Sequence, residues 1–281
     1  MTANLGTHTS AAGGVWRALE RAKELDCDAV QLFTRNQNQW RAKPLTTEAI
    51  ERFRELARDF QPGMLISHGS YLVNPASPRP ATRERSITGL IDELERAEQL
   101  GLAGVVLHPG SHVGAGVGLG ITRVVRFLDR VFRRTAGFKT LLLLETTAGQ
   151  GSNLGSTFDD LARILNGVEQ PERLGICLDT CHLFAAGYPI HHLDGYQETR
   201  SALDQAIGLE QVKAVHLNDS KMPFGSHRDR HQHIGQGEIG TDAFRFFVNE
   251  PAWSEVPMVL ETPKEGVGDA GNLELLRSFR R

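Results

Sequence analysis

The sequence has few cysteines and no long apolar segment, and we expect no signal for export. Cys27, Cys177 and Cys181 are the three cysteines among 281 residues, too few for the disulfide framework of a small secreted protein. No run approaches the ~18 apolar residues of a membrane-spanning helix. The first residues, MTANLGTH, lack the basic and apolar regions of a signal peptide. These absences predict a cytoplasmic protein without a membrane partner.

The chain also lacks the excess of positive charge that many nucleic-acid-binding proteins carry. Its formal net charge at pH 7 is -3. Metal ions held by acidic residues would nevertheless add positive charge where a phosphate must lie, and the local field matters more than the total charge. The charge balance therefore does not exclude a nucleic-acid partner.

Short apolar segments alternate with amphipathic helical segments along the chain. The strand-like segments lie at residues 5–7, 29–33, 64–67, 104–107, 141–144, 174–178, 212–215 and 258–260. Eight such alternations predict an α/β fold, a TIM (β/α)8 barrel forming a single domain over residues 1–281. A doubly wound open sheet is the structural alternative. After the sixth strand, we expect a long loop to displace the next helix.

The glycine-rich segment at residues 110–120 is the one feature that suggests nucleotide binding. Its glycines do not have the G-x-G-x-x-G spacing, and it follows the fourth strand rather than the first. We therefore interpret it as a loop at the barrel mouth, not as a dinucleotide site.

Histidine, aspartate or glutamate follows six of the strand-like segments directly. These residues are His68, His108, Glu145, Asp179, His216 and Glu261. In a TIM barrel, the carboxyl ends of all strands meet at one face, where active sites lie. One such residue would more often be a hydrogen-bonded structural group or a general base. Six imidazole and carboxylate groups in one cavity require compensating cations, and this donor set suits zinc, manganese or iron(II).

Two further groups flank this set. His182 lies just past the sixth strand, and Asp229 and His231 lie in the loop after the seventh. An Asp-x-His pair in an extended segment directs both side chains to the same face, so these three residues supply ligands for a further ion. Cys181 beside His182 offers a Cys–His nucleophile as an alternative, but Cys177 and Cys181 are more typical of small buried residues.

Several long motifs carry a resemblance to a known family. Residues 68–74 read HGSYLVN, 144–151 LETTAGQG, 178–182 LDTCH, 184–188 FAAGY, 216–221 HLNDSK, 229–231 DRH and 235–237 GQG. Over nearly the whole chain, the sequence closely resembles the endonuclease IV family of apurinic/apyrimidinic endonucleases.

The resemblance implies three zinc ions per chain, with Mn²⁺ or Fe²⁺ as substitutes. His68, His108 and Glu145 would hold the first ion. Glu145, Asp179, His216 and Glu261 would hold the second, and His182, Asp229 and His231 the third. The implied reaction is hydrolysis of the phosphodiester 5′ to an abasic site, or removal of 3′-blocking groups, by a hydroxide held between metal ions. Glu145 and Glu261 would be the catalytic carboxylates, and the protein would act as a monomer.

The resemblance also implies that two loops enter the minor groove of duplex DNA. The first carries Arg35, Gln37 and Asn38, and the second carries Tyr71 and Leu72. Family members usually have an arginine at the position of Asn38, and a carboxamide stacks and binds phosphate less well than a guanidinium. Arg35 or Arg41 would then compensate.

The remaining histidines receive weaker predictions. His8 and His112 are expected near the mouth as supporting or substrate contacts, and His191, His192, His227 and His233 as surface or loop residues. Two other functions compete with the endonuclease: a sugar isomerase or epimerase with one or two metals, and a non-catalytic DNA- or metal-binding module. Three ions per chain would exclude the first, and cleavage of abasic DNA would exclude the second.

Overall fold

Eight parallel strands close into a barrel in the computed structural model, which describes residues 3–281. The barrel strands are β1 (Asn4–His8), β2 (Ala29–Leu32), β3 (Leu65–His68), β4 (Gly104–Leu107), β5 (Leu141–Glu145), β6 (Leu174–Asp179), β7 (Val212–His216) and β10 (Pro257–Leu260). Their order around the barrel is β1-β10-β7-β6-β5-β4-β3-β2. Closure pairs β1 with β10, Asn4 opposite Pro257 and Thr7 opposite Leu260. The TIM-barrel prediction is confirmed, and the open-sheet alternative is wrong.

Helices follow the strands and cover the outside of the barrel. They are α1 (Trp16–Glu24), α2 (Thr47–Ala57), α3 (Pro80–Leu100), α4 (Val117–Arg134), α5 (Phe158–Gly167), α6 (Thr180–Ala186), α7 (Leu193–Ala206), α8 (Thr241–Val248) and α9 (Gly268–Ser278). Local signals set their ends: the Thr46 side chain accepts a hydrogen bond from Ala49 N at the start of α2. Gly101 ends α3 in the left-handed conformation, with φ of 75°. Among residues 3–281, no helix is long and apolar enough to cross a lipid bilayer.

Side chains inside the barrel form a small apolar core of their own. Its buried members are Ala29, Met64, Ile66, Val106, Leu143, Cys177, Ala214 and Val259. The neighbouring strand residues point outward into the larger core under the helices, as Leu142 and Leu144 do. Because side chains of a strand alternate between faces, the residue two positions after an interior residue also points inward, one layer nearer the mouth.

Two loop predictions need correction. No long loop follows β6, because Asp179 caps the short helix α6 directly by accepting a hydrogen bond from His182 N. The long loop follows β7 instead, and it contains an antiparallel hairpin of β8 (Asp219–Ser220) and β9 (His231–Gln232). The glycine-rich segment is a loop only in part, since α4 begins at Val117 and includes Gly118 and Gly120.

Candidate metal centre

The layer above the interior core carries polar side chains from all eight barrel strands or their first following residues. They are His8, Gln31, His68, His108, Glu145, Asp179, His216 and Glu261. Most lie two positions after an interior residue, as Glu145 follows Leu143 and Asp179 follows Cys177. The strand-end residues predicted from the sequence are therefore brought together at the barrel mouth.

The first ligand cluster joins β3, the end of β4 and β5. His68 Nε2 lies 3.2 Å from Glu145 Oε2, and His108 Nε2 lies 2.8 Å from the same oxygen. One donor atom of each residue lies within 4.8 Å of the others. This spacing is compatible with one ion bound by all three.

The second cluster lies on the other oxygen of Glu145. His216 Nδ1 is 2.9 Å from Glu145 Oε1 and 3.3 Å from Glu261 Oε2. It is also 3.7 Å from Asp179 Oδ2. The four donor atoms again lie within 4.8 Å of one another. Glu145 thus faces two clusters, one with each carboxylate oxygen.

The third cluster depends on α6 and on the hairpin. Helix α6 carries His182, and β9 carries His231. Asp229 lies between the two imidazoles, with Oδ2 3.2 Å from His182 Nε2 and Oδ1 3.1 Å from His231 Nε2. All three predicted ligand groups therefore assemble, in the same division that the family resemblance implies.

Asp219 fixes the loop that carries two of these ligands. Its Oδ1 accepts hydrogen bonds from Ser220 N at 2.8 Å and Ile239 N at 3.0 Å. Its Oδ2 accepts from Gly235 N at 2.9 Å and Gly237 N at 3.1 Å. Four charge-assisted bonds to one buried carboxylate hold the hairpin against the following turn.

The histidine hydrogen bonds test whether these clusters suit metal ions. The Nδ1 atoms of His68, His182 and His231 lie 2.8, 2.8 and 3.1 Å from the backbone oxygens of Gly69, Thr146 and Glu261. A carbonyl oxygen only accepts, so each Nδ1 carries a proton, and Nε2 is the ring atom that faces the carboxylates and would present its lone pair to a cation. The buried Nε2 atoms of His182 and His231 have no hydrogen-bond partner. A cation between an imidazole and a carboxylate would accept the nitrogen lone pair and balance the negative charge. The residues therefore fit metal ions.

Charges in the cluster strongly favour ionised carboxylates. Burial raises the pKa of Glu145, but the charges of His108 and His216 outweigh burial and hold that pKa well below its ordinary value. In His68, burial lowers the pKa, yet the hydrogen bond and charge of Glu145 raise it to about 9. Burial also lowers the pKa of His231, but Asp229 and Asp179 outweigh burial and raise that pKa to about 9. The protein without metal therefore gathers protons where cations would bind.

Cys181 lies near the third cluster without the properties of a ligand or a nucleophile. Its sulfur is within 4.8 Å of donor atoms of Asp179 and His231. Burial, reinforced by the charge of Asp179, raises the pKa of this thiol to about 12. Nucleophilic attack requires the thiolate, which burial disfavours here, so the raised pKa argues against the Cys–His nucleophile alternative.

The two predicted DNA-binding loops lie side by side at the mouth. Ser70 Oγ donates to Gln37 O over 2.5 Å and so links the loop after β2 to the loop after β3. Tyr71 is 62% exposed, and its ring centre lies 5.7 Å from those of Phe33 and His68. Leu72 is half-buried and Asn38 is exposed. An exposed aromatic ring beside the ligands is therefore available to contact a substrate.

The Arg35 side chain is buried and does not reach the surface of the barrel mouth. This corrects its predicted role as a DNA contact. Its Nε donates to Glu93 Oε1 over 2.5 Å, and the side chains of both residues are 1% exposed. Its Nη1 donates to the backbone oxygens of Gln39 and Trp40. We therefore interpret Arg35 as the residue that holds the loop after β2 in shape, not as a DNA contact. Arg41 is exposed on the same loop.

The other histidines divide between support and packing. His8 lies at the centre, with Nδ1 2.9 Å from Gln31 Nε2 and 3.3 Å from Glu261 Oε1. His233 lies in the loop that follows β9, within the surface-or-loop prediction, but it is buried there beside Asn272 Nδ2 at 3.0 Å. Elsewhere, His112 accepts from Gly116 N in the loop before α4, His192 caps α7, and His191 and His227 are at least partly exposed.

Two amide side chains of the centre were missed by reasoning from the sequence. Asn218 Nδ2 donates to Asp179 Oδ2 over 2.7 Å, and its Oδ1 accepts from Glu261 N over 2.8 Å. Gln31 contacts three side chains of the top layer. The available signal was a polar residue inside the apolar strand segment 29–33, two positions after Ala29.

Comparison with known proteins gives a consistent result. Residues 19–281 match the family described as xylose isomerase-like TIM barrel. A probable endonuclease 4 of Chloroflexus aggregans is 46% identical over 278 residues, covering 98% of this chain and 97% of that protein. A probable endonuclease 4 of Trichlorobacter lovleyi is 44% identical, covering 99% of this chain and all of that protein.

Solved structures agree with these sequence relatives. The crystal structure of endonuclease IV from Thermus thermophilus has a TM-score of 0.87 at 37% identity, covering 98% of both chains. A D-tagatose 3-epimerase-like protein has a TM-score of 0.72 at 19% identity, over 98% of this chain and 96% of that one, a likeness of fold alone. The fold and the site thus define a xylose isomerase-like TIM barrel with clustered residues that could hold metal ions. Within that class, the chain belongs to the endonuclease IV family.

Proposed function

We propose that this chain is a zinc-dependent apurinic/apyrimidinic endonuclease of the deoxyribonuclease IV type, acting in DNA base excision repair. It hydrolyses the phosphodiester 5′ to an abasic site in duplex DNA and leaves a 3′-hydroxyl and a 5′-deoxyribose phosphate. It also removes 3′-blocking groups. The observation that carries the proposal is the presence of three adjoining ligand clusters at one barrel mouth. Full-length relatives named endonuclease 4 support it.

The three clusters would hold three zinc ions. The ligands are His68, His108 and Glu145; Glu145, Asp179, His216 and Glu261; and His182, Asp229 and His231. Bound zinc supplies Lewis acidity toward phosphate oxygens and lowers the pKa of water to about 7. Imidazole and carboxylate ligands also suit Mn²⁺ or Fe²⁺ as substitutes.

Glu145 and Glu261 are the carboxylates placed to act in the reaction. Glu145 is fully buried and presents one oxygen to each of two clusters, so it keeps those clusters at a fixed separation. Glu261 has Oε1 bonded to Gln31 and Oε2 facing His216, so Oε2 is the oxygen that would hold the second ion and orient the attacking oxygen beside it. No nucleophilic side chain is needed for this reaction.

Recognition of the lesion is proposed to involve the exposed loops. Phosphate contacts position a duplex, and an abasic nucleotide is easily extruded because it has no base to stack. Tyr71 and Leu72 would fill the gap that the extruded nucleotide leaves, and Gln37 and Asn38 would lie in the minor groove beside them. The link from Ser70 to Gln37 keeps the two loops together.

The wider setting follows from the same proposal. Residues 1–281 act as a single domain, although residues 1 and 2 lie outside the part that the structure describes. The protein acts as a monomer in the bacterial cytoplasm, on double-stranded DNA with abasic sites or 3′-blocked ends.

A nicking assay with metal analysis tests the proposal. Purified protein reconstituted with zinc is incubated with a duplex containing one tetrahydrofuran abasic analogue, and elemental analysis is done on the same batch. We expect three zinc ions per chain and one cut 5′ to the analogue, with the undamaged duplex intact. One or two ions and an uncut duplex would favour a sugar isomerase or epimerase. Three ions and binding without cleavage would favour a non-catalytic module.

A further inference from the structure

Gln31 is a fully buried side chain whose polar contacts are all with residues of the metal centre. Its Oε1 accepts a hydrogen bond from His216 Nε2 over 2.8 Å. Its Nε2 donates to Glu261 Oε1 over 2.6 Å and to His8 Nδ1 over 2.9 Å. The amide therefore uses one acceptor and both donors on three side chains from other strands, and its orientation is fixed.

These bonds decide which atoms of the second cluster remain free. Because Gln31 Oε1 can only accept, the proton of neutral His216 must be on Nε2, and Nδ1 is left with its lone pair toward the carboxylates. Because Gln31 Nε2 holds Glu261 Oε1, Oε2 is the oxygen that faces His216 Nδ1 at 3.3 Å. One amide thus selects the ligand atom of two different residues.

Burial of an amide at position 31 would destabilise the fold if its polar groups were unpaired. The neighbouring interior position, Ala29, is apolar, and Gln31 is 0% exposed. A buried amide costs free energy unless all its groups are paired. Gln31 obtains that pairing from a ligand pair, not from backbone groups, so packing alone does not account for the residue.

We propose that Gln31 is a positioning residue for the second ion of the centre, the one held by Glu145, Asp179, His216 and Glu261. The proposal rests on the proposed function, because it requires that the wild-type chain binds metal. Partners of metal ligands typically contribute about 10- to 100-fold to metal affinity. We therefore expect loss of Gln31 to lower the affinity for this ion by a similar factor. Binding at the third cluster should not change.

Two substitutions separate the bonds of Gln31. Gln31→Met keeps the volume and removes every hydrogen bond. Gln31→Glu keeps an acceptor for His216 but has no amide donor for Glu261. Ser67→Ala is the matched control, since Ser67 is equally buried on the adjacent strand and its hydroxyl has no hydrogen-bond partner.

Zinc stoichiometry and affinity are measured by chelator competition, with thermal unfolding of the metal-free proteins as the check on folding. We expect three ions for wild type and Ser67→Ala, and one tightly bound ion fewer for both Gln31 variants. Combining Gln31→Met with Asp229→Ala, which removes a third-cluster ligand, should cost one ion more than either change alone.

The outcomes separate this proposal from the proposed function. A Gln31→Met protein that keeps three ions at wild-type affinity would overturn the positioning role and leave the endonuclease proposal standing. Wild-type affinity in Gln31→Glu alone would overturn the part that concerns Glu261. If wild type itself binds no zinc, both proposals fail together.

Discussion

Arg35 and Glu93 form an ion pair from which solvent is almost entirely excluded. The guanidinium Nε lies 2.5 Å from Glu93 Oε1, and Glu93 Oε2 also accepts from Thr34 Oγ1 over 3.1 Å. Gly89 of α3 leaves room for this approach, since a Cβ there would lie 3.3 Å from Arg35 Nη2. This buried pair anchors the loop that carries Gln37 and Asn38 to α3, together with the bond from Arg96 Nη2 to Lys43 O at 2.6 Å.

Breaking this pair should destabilise the protein and weaken DNA binding. Glu93→Gln leaves the Arg35 charge buried without its closest partner, which typically costs about 3–5 kcal/mol. Asp92→Asn is the comparison, because Asp92 is 34% exposed and lies 3.5 Å from Arg35 Nε and 3.0 Å from Arg96 Nε, so its effect should be smaller than that of Glu93→Gln. Urea unfolding and titration with abasic duplex measure both effects. Equal stabilities for the two variants would contradict the assignment.

Glu145→Gln should abolish cleavage while preserving the fold. The amide has the volume of the carboxylate but no charge, so it cannot serve two ligand clusters. We expect no measurable nicking, fewer than three bound zinc ions, and a circular dichroism spectrum like that of wild type. Full activity of this variant would mean that a bridging carboxylate is not required.

Zinc affinity should rise with pH. The pKa values of His68 and His231 are raised to about 9 in the absence of metal, so both rings carry a proton at pH 7 that zinc must displace. Affinity should increase about ten-fold per pH unit for each displaced proton, and the rise should end above pH 9. Chelator competition at several pH values measures the slope, and calorimetry in two buffers counts the released protons. A flat profile from pH 6.5 to 8.5 would contradict the prediction.

All three thiols should be inert in the native protein. Burial raises the pKa of Cys27 and of Cys181 to about 12, and it also raises that of Cys177. At pH 8, a thiol of pKa 12 is ionised at a level of roughly one part in ten thousand. We expect iodoacetamide to label none of them in the folded protein and all three in urea. Cys181→Ala should keep its zinc and its activity, and loss of either would revive the thiolate alternative.

Asn38→Arg should strengthen binding to abasic duplex. Asn38 is exposed at the tip of the loop after β2, and a guanidinium there adds a phosphate contact worth roughly 1 kcal/mol, or about five-fold in affinity. Gln39→Arg, also exposed, is the control for added charge alone. If Asn38→Arg binds no more tightly than wild type, position 38 does not limit affinity.

The ligand-bearing strand ends were predictable because two periodic rules coincide there. Alternation along each strand directs Glu145 inward above Leu143, and parallel closure brings such positions to one mouth. Histidine and carboxylate at those positions are residue types whose clustering implies a metal. Alternation acts within a few residues, and the repeated strand–helix pattern along the chain predicts the closed barrel, so the grouping at its mouth follows from the two together.

Contacts between distant segments were not predictable in this way. Arg35 is a basic residue on a polar loop, and nothing near it in sequence indicates that Glu93, 58 residues away, takes its charge. Gln31 is an amide, which is not a typical metal ligand, so its place in an apolar strand segment did not indicate a role until His216 and Glu261 lay beside it. The hairpin of β8 and β9 is held by Asp219 and turns of the loop, not by a run of strand-forming residues.

Closure of the barrel has a consequence for the nascent protein. The ligands of one centre extend along the chain from His68 to Glu261, and Glu261 directly follows β10, the strand that pairs with both β1 and β7. A molecule still lacking that last strand has no complete second cluster, and Gln31 Nε2 lacks its bond to Glu261. The candidate metal centre can therefore be complete only after the chain from His68 to Glu261 has been synthesised and the barrel has closed.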